Sequence, residues 1–197
     1  MSILGIESVV FGVEDLAEHT RFWTDFGLPP ESSSDDESVF RMASGSRLIL
    51  YRHGDARLPS PDPFPGDGLK ETVWGVSDQE HLDRIAASLA TEVDVSTAED
   101  GTVRCVCPDG QPIALRLWAK RHFVSEASPV NTPTSYPRFN QHRIWRHKCQ
   151  PKTINHVVWS FPDVNEALDF YRDRLGFRLS EIQLGSGVYI RADGATD

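Results

Sequence analysis

Few residues in this 197-residue chain stand where chemistry is done, and His156 is the first of them. It lies in the run Ile154-Asn155-His156-Val157-Val158-Trp159, just ahead of Asp163. An imidazole on an apolar strand either satisfies a core hydrogen bond or serves as a neutral nitrogen ligand to a metal. The other histidines are placed less favourably. His19 and His81 fall in helix-forming stretches, while His53 and His122 flank connectors. His142, His147 and Cys149 are close in sequence, but their spacing fits no familiar zinc site. Glu71 is a carboxylate without a neighbouring donor, and it reads as a strand-end surface residue, because a metal site takes three or more donors. No residue is assigned a catalytic or cofactor-binding role, and an imidazole placed like that of His156 is, on the residues alone, more often a satisfied core histidine than a ligand.

The elements that must position these residues recur along the chain. Ile6-Glu7-Ser8-Val9-Val10-Phe11-Gly12-Val13-Glu14-Asp15 lines up with Ile154-Asn155-His156-Val157-Val158-Trp159-Ser160-Phe161-Pro162-Asp163. The match runs on through Glu18 and Glu166, Phe22 and Phe170, then Gly27 and Gly176. A weaker third copy begins at Val73-Trp74-Gly75-Val76-Ser77-Asp78, which matches Val10 to Asp15. Each copy opens with an apolar, β-branched run suited to a strand. A capped helix follows, with the pairs Asp15/Glu18, Ser77/Glu80 and Asp163/Glu166 at capping-box spacing. Leu82, Ile85, Ala86 and Leu89 form one apolar helix stripe, and Val164, Ala167, Leu168, Tyr171 and Leu175 another.

Shorter strands complete each copy. They are expected near Val39–Met42 and Leu48–Arg52, then Val103–Cys107 and Ile113–Trp118 about the turn Pro108-Asp109-Gly110, then Phe177–Leu184 and Val188–Arg191. The fold class is therefore α+β, with tandem βαβββ modules of which the third is incomplete. The expected organisation is a domain over 1–119 holding modules at about 1–55 and 69–119, a crossover over 120–152, and a partial third module over 153–197. The proline-rich stretch from His53 to Gly68 reads as a loop. Arg138 to Lys152 carries five Lys or Arg and no acid, and reads as a strap against acidic surface.

The net charge of -9 argues against general nucleic-acid binding and for small-molecule partners. Three cysteines, with Cys105 and Cys107 two apart, suit a reducing compartment. Met1 to Leu16 lacks a basic segment and carries Glu7, Glu14 and Asp15, so it is not a signal peptide, and no apolar run reaches spanning length. The expectation is a cytoplasmic protein without membrane partners.

Strand, capped helix and three strands closing on a Pro-Asp-Gly turn resemble the vicinal-oxygen-chelate superfamily of glyoxalase I, bleomycin-resistance proteins and extradiol dioxygenases. The resemblance covers essentially the whole chain. It rests on Asn155-His156-Val157-Val158 before Asp163, on Phe170-Tyr171-Arg172-Asp173-Arg174-Leu175-Gly176-Phe177, and on Cys107-Pro108-Asp109-Gly110-Gln111-Pro112-Ile113. It implies paired modules whose curved mixed sheets form a cup, with metal ligands from a His early in a first strand and a carboxylate in a last strand. Those sites fall at Ser8, Glu71 and His156 for the first strands, and near Ile49 and Ala114 for the last. The first pair of modules is thus expected to be metal-free and structural.

That asymmetry is similar to the two-domain extradiol ring-cleaving dioxygenases. The resemblance implies Fe(II), with Mn as an alternative, and a catechol-like aromatic substrate with dioxygen. His156 would be the first of three ligands, its ring on the side of Ile154 and Val158. The second His and the Glu of that branch belong to a fourth module that this sequence does not contain. The expectation is hence a truncated form, inactive and weak in metal binding as written, with an exposed sheet edge that favours homo-oligomers. Two alternatives stand beside it. One is a non-catalytic binding protein of the bleomycin-resistance type, its cup lined by Trp74 and Trp118. The other is a glyoxalase- or epimerase-like enzyme using Ni, Zn or Co.

Overall fold

A computed structural model describes residues 2–62, 64–124, 130–137 and 150–194. Most of the basic segment, with His142, His147 and Cys149, lies outside the described residues. Two long strands organise everything else. β1 (Ile3–Val13) and β5 (Gly68–Val76) are largely buried on both faces, as central strands of a covered sheet are. They pair antiparallel at the centre of an eight-stranded sheet of order β2-β3-β4-β1-β5-β8-β7-β6.

Each module supplies one half of that sheet. The first adds β2 (Ser32–Ser33), β3 (Glu37–Arg41) and β4 (Arg47–Arg52), with β4 parallel to β1. The second adds β6 (Val95–Thr97), β7 (Val103–Val106) and β8 (Pro112–Leu117), with β8 parallel to β5. The mixed α+β architecture and its curved sheet agree with the fold class read from the sequence. Ser32 and Ser33 pair with Val39 and Ser38, so the acidic stretch around them contributes a short edge strand.

The central ladder slips in three places. Ile6 faces Trp74 and Ser8 faces Val73, which leaves Glu7 as an extra residue on β1. Val10 faces Glu71 and Phe11 faces Leu69, which leaves Lys70 as an extra residue on β5. The third slip falls between Ile3 and Gly5. Lys70 is almost wholly buried and uses its bulged position to pin the proline-rich connector. Its Nζ donates to Asp62 Oδ2 (2.7 Å), to the Gly66 carbonyl (2.7 Å) and to the Phe64 carbonyl. Opposite Gly5, Gly75 has no room for a side chain. A Cβ there would stand 2.3 Å from the Trp118 ring.

The helices cover one face. α1 (Leu16–Phe26), α2 (Gln79–Leu89) and α3 (Val164–Leu175) are each capped by an aspartate: Asp15, Asp78 and Asp163. The cap of α2 is Asp78, whose carboxylate accepts from the His81 amide (3.0 Å), rather than the expected Ser77. The carboxylate is the stronger acceptor, and the Ser77 hydroxyl is turned to it as a donor (2.7 Å). α1 and α3 stop at Gly27 and Gly176 with φ of 109° and 75°, a left-handed geometry that disfavours other residues.

Between sheet and helices lies the main core, built on Ile3, Ile6, Val9, Phe40, Leu82, Ile113 and Leu115. Cys105 and Cys107 are buried there as free thiols, and burial pushes the Cys105 thiol up to about 12. The third module reaches into the same core. Phe170, Tyr171, Leu175, Phe177 and Ala192 are all buried in it, and Phe177 meets Trp74 edge to face at 4.9 Å. β9 (Arg178–Gln183) and β10 (Gly187–Arg191) form a separate hairpin, with Ile182, Leu184 and Tyr189 exposed.

One buried polar contact ties α3 to the second module: the Tyr171 hydroxyl donates to Gln111 Oε1 at 2.7 Å. Gln111 is fully buried, and its Nε2 already lacks a partner. Tyr171→Phe leaves the whole amide unpaired, so we expect a loss of about 1–2 kcal/mol. Urea unfolding checks this as a lower midpoint at unchanged slope.

Candidate functional site

The face of the sheet opposite the helices is a cup, and strand alternation decides what lines it. From β1 come Ser8 and Val10, from β4 Ile49 and Tyr51, from β5 Glu71 and Val73. From β7 and β8 come Arg104, Ala114 and Arg116. Val10, Ile49, Val73 and Ala114 form a small apolar cluster of their own at its floor. The connector arches over one side through Leu58, Pro59 and Ser60, and the open cleft measures about 690 Å³.

All four positions that correspond to metal ligands by the sequence repeat, Ser8, Ile49, Glu71 and Ala114, belong to this floor. Only Glu71 carries a donor, and it is engaged. Its carboxylate is buried in mid-strand and accepts from Arg104 Nε at 3.2 Å. Burial raises its pKa and Arg104 opposes that rise. The expectation of a strand-end surface residue is therefore corrected. The bulge leaving Lys70 as the extra residue of β5 fixes which way Glu71 faces, and that slip is invisible to a reading by simple repeat.

A second pair stands across the cup. Arg47 Nη2 and Nε donate to Glu7 Oε1 at 2.8 and 3.0 Å, and Glu7 Oε2 is buried without a partner. The Ser8 hydroxyl is also buried without a partner. Arg47, Arg104 and Arg116 were not singled out from the sequence. Their two-residue spacing from Ile49 and Ala114 on the same strands, or their pairing across from them, is the signal that finds them.

Trp74 and Trp118 do not line the cup. Trp74 lies in the helix-side core against Phe177, and Trp118 lies over Gly75. The aromatic-lined cup considered above is thus not formed. Alternation about the bulge at Glu7 turns Trp74, partner of Ile6, to the same side as Ile6.

His156 is exposed, and residues 150–162 form no strand. The expected first strand of module three is therefore not built. β1 and β5 each pair with their own module's last strand and with each other. Residues 154–161 find neither kind of partner among the described residues. Ile154 and Val157 pack against the main core, Val158 is 80% exposed, and Trp159 rests against Phe64 at 5.2 Å. His156 thus shares the exposed side with Val158 but not with Ile154.

Among the described residues no group of three or more His, Cys, Asp or Glu could hold a metal ion. Three other imidazoles among the described residues are spent on carboxylates. His19 Nε2 and His53 Nε2 meet Asp67 at 3.0 and 2.7 Å, and His81 Nδ1 meets Asp78 at 2.7 Å. The described residues therefore do not make up a metal site, and His156 stands as a single donor. Also among them, no helix is long and apolar enough to cross a membrane.

Comparison with known proteins agrees with this architecture. Residues 153–196 match the family model described as the glyoxalase/bleomycin resistance protein/dioxygenase superfamily. Metapyrocatechase 2 of Cupriavidus necator is 30% identical over 186 residues, which is 91% of this chain and 54% of that protein. Biphenyl-2,3-diol 1,2-dioxygenase of Paraburkholderia xenovorans strain LB400 is 26% identical over 206 residues, 98% of this chain and 62% of that one. The chain thus spans a little over half the length of these curated relatives. In fold it is similar to the crystal structure of the 2,3-dioxygenase LapB from Pseudomonas sp. KL28, with a TM-score of 0.68 at 19% identity over 96% of this chain and 66% of that one.

Arg104 keeps a charge on Glu71, which makes the cup's electrostatics testable. Arg104→Ala leaves a buried carboxylate alone, and we expect a loss of about 2 kcal/mol at neutral pH, less than for a fully buried pair because Arg104 is 42% exposed. The folded-state pKa of Glu71 is raised, so the folded protein holds a proton that the unfolded chain releases. Stability of the variant therefore rises as pH falls from neutral towards the ordinary carboxylate value, and thermal melts across that range check the sign. With paired modules, a cup at the positions the repeat marks, and relatives that align along most of this chain, the protein is similar to the glyoxalase/bleomycin resistance protein/dioxygenase superfamily, whose family model matches residues 153–196.

Proposed function

We propose that this chain is the larger part of an extradiol-type ring-cleaving dioxygenase, an oxidoreductase that acts on a catechol-like aromatic with Fe(II), or Mn, and dioxygen. The observation that carries the reading is the alignment with metapyrocatechase 2, which runs through 91% of the chain. Ser8, Ile49 and Ala114 at three of the four ligand positions of the first two modules, ahead of a module bearing His156, support the same reading. In it, residues 1–119 are a metal-free first domain, 120–152 the crossover, and 153–197 the opening of the metal-bearing domain.

His156 is assigned as one metal ligand of that second domain. Fe(II), when bound, supplies a centre at which a bidentate catecholate and dioxygen can meet. The remaining donors are not among the described residues, so no step is derived through the metal. What this chain's own residues supply is the scaffold: α3 and Phe177 anchor the third module to the first core, and Trp159 on Phe64 holds the segment after His156. The exposed side chains of Leu184 and Tyr189 favour self-association, and the unpaired cysteines favour the cytoplasm.

The reading is tested by extending the polypeptide by about one module, loading it anaerobically with Fe(II), and following oxygen uptake with catechol. Oxygen consumption with a new ring-opened chromophore is expected, and His156→Ala should abolish both the iron stoichiometry and the activity. Full iron retention by that variant would remove His156 from the ligand set. A loaded protein that consumes no oxygen with any catechol would sink the dioxygenase reading. The 197-residue chain alone should bind Fe(II) only weakly, as a single imidazole does.

A further inference from the structure

The cup of the first two modules contains more than a structural domain requires. A purely structural sheet face would be covered by apolar packing or left to water with its polar groups satisfied. Here the Ser8 hydroxyl is 1% exposed in residue terms, faces the cleft and has no hydrogen-bond partner. Arg116, half-buried on β8, forms no hydrogen bond or ion pair with a described residue, and its charge acts on Asp100. Arg104 uses Nε on Glu71, which leaves its terminal nitrogens unengaged.

These donors converge. Ser8 pairs with Val73 across the central seam, and Val73 pairs with Ala114. Arg104 pairs with Ala114 from the other side, and Arg116 is the next residue along β8 on the same face. Ser8 is thus two strand spacings, about 10 Å, from the backbone between the two arginines. The hydroxyl and the guanidinium groups thus share one face, on either side of Val73 and Ala114, whose side chains are short enough to leave space.

Charge and shape restrict the occupant. Four guanidinium groups line the cleft; Arg47 is paired with Glu7 and Arg57 with Asp55 and Glu37, which leaves Arg104 and Arg116 as the groups a ligand can use. The floor is apolar, and about 690 Å³ is the size of a small-molecule site rather than of a bare ion. A planar fork of guanidinium donors suits a carboxylate, and the apolar floor suits a ring. We infer that the cup of the first two modules binds a small aryl carboxylate, its carboxylate group held by Ser8, Arg104 and Arg116 and its ring resting on Val10, Ile49 and Val73. The site is independent of His156 and of any metal. Bound there, the ligand completes the hydrogen bonding of Ser8 and ties β1 of one module to β7 and β8 of the other.

Titration of the full chain with benzoate, read by calorimetry and ligand-observed NMR, tests the site. One saturable equivalent is expected, with benzamide weaker by about tenfold or more, since a charge-assisted contact is lost. Arg116→Gln should weaken benzoate binding by about tenfold, and Ser8→Ala by several-fold. Ser8→Ala removes a hydroxyl that bonds nothing, so its melting midpoint should match or exceed the parent's, and it remains informative if Arg116→Gln folds poorly. Absence of saturable benzoate binding, or affinity unchanged in both variants, overturns the proposal. So does displacement of benzoate by inorganic phosphate at equal affinity, which would mark a general anion patch.

Discussion

The antiparallel seam between β1 and β5 is the contact on which the rest of the molecule depends. It joins the two modules at the centre of one sheet, so its register sets the register of every strand outward from it. A slip of one residue on such a seam would exchange core and cup along the whole strand. The slips that do occur are local. The extra residues Glu7 and Lys70 are each taken up by a strong charged contact, Glu7 with Arg47 and Lys70 with Asp62. Charge placed at the bulges therefore marks the register, since a shifted ladder would strand both groups without partners.

The same seam explains why the cup is polar where the opposite face is not. Helix-facing positions on β1 and β5 (Ile6, Val9, Trp74, Val76) meet a packed layer and must be apolar. Cup-facing positions meet only the connector and the cleft, so Ser8 and Glu71 are tolerated, each beside an arginine on a neighbouring or outer strand. Buried ion pairs of this kind add little net stability, but they are costly to break. They hold the cup in one geometry without filling it. The connector completes the enclosure. Arg57 bonds Asp55 and Glu37 and lies 4.0 Å over the Tyr51 ring, while its neighbour Leu58 packs on the floor cluster.

Much of this was legible in the sequence because it is local. The aspartate-capped helices, the glycine stops at Gly27 and Gly176, and the strand pairs around Pro108-Asp109-Gly110 follow from residues a few positions apart. The equivalence of Ser8 and Glu71 was also visible, since it needs only the repeat. The facing of Glu71 and of Trp74 was not, because each depends on a bulge opposite a strand far away in sequence. The cap at Asp78 differs from the expected Ser77 for a smaller reason: two adjacent oxygen-bearing side chains competed, and the carboxylate won. Arg104 and Arg116 escaped notice because an arginine on a strand has no motif. It acquires meaning only when the ladder brings Ala114 and Ser8 beside it.

His156 shows the limit of local reading most clearly. Its flanking residues repeat those of β1, yet the run from Ile154 to Phe161 is not a strand, because a strand is a property of a pair. Alternation of side chains arises from the pleat, and the pleat persists only where neighbouring backbones hold it. In β1, that support comes from β4 on one side and β5 on the other, which is why Ser8 faces the cup without ambiguity. His156 has the equivalent position in the repeat but not the equivalent ladder. Its segment is fixed at the flanks, by the Lys152 carbonyl accepting from the Ser44 amide (2.9 Å) and by Trp159 on Phe64, with the imidazole exposed between them. A metal requires its ligands at fixed distances and angles, and a lone exposed imidazole supplies neither. Backbone pairing along residues 154–161 would orient the ring before any metal arrives. Under the proposed function, such a ladder is the step that would turn His156 from a residue with the right neighbours in sequence into a ligand in the right place.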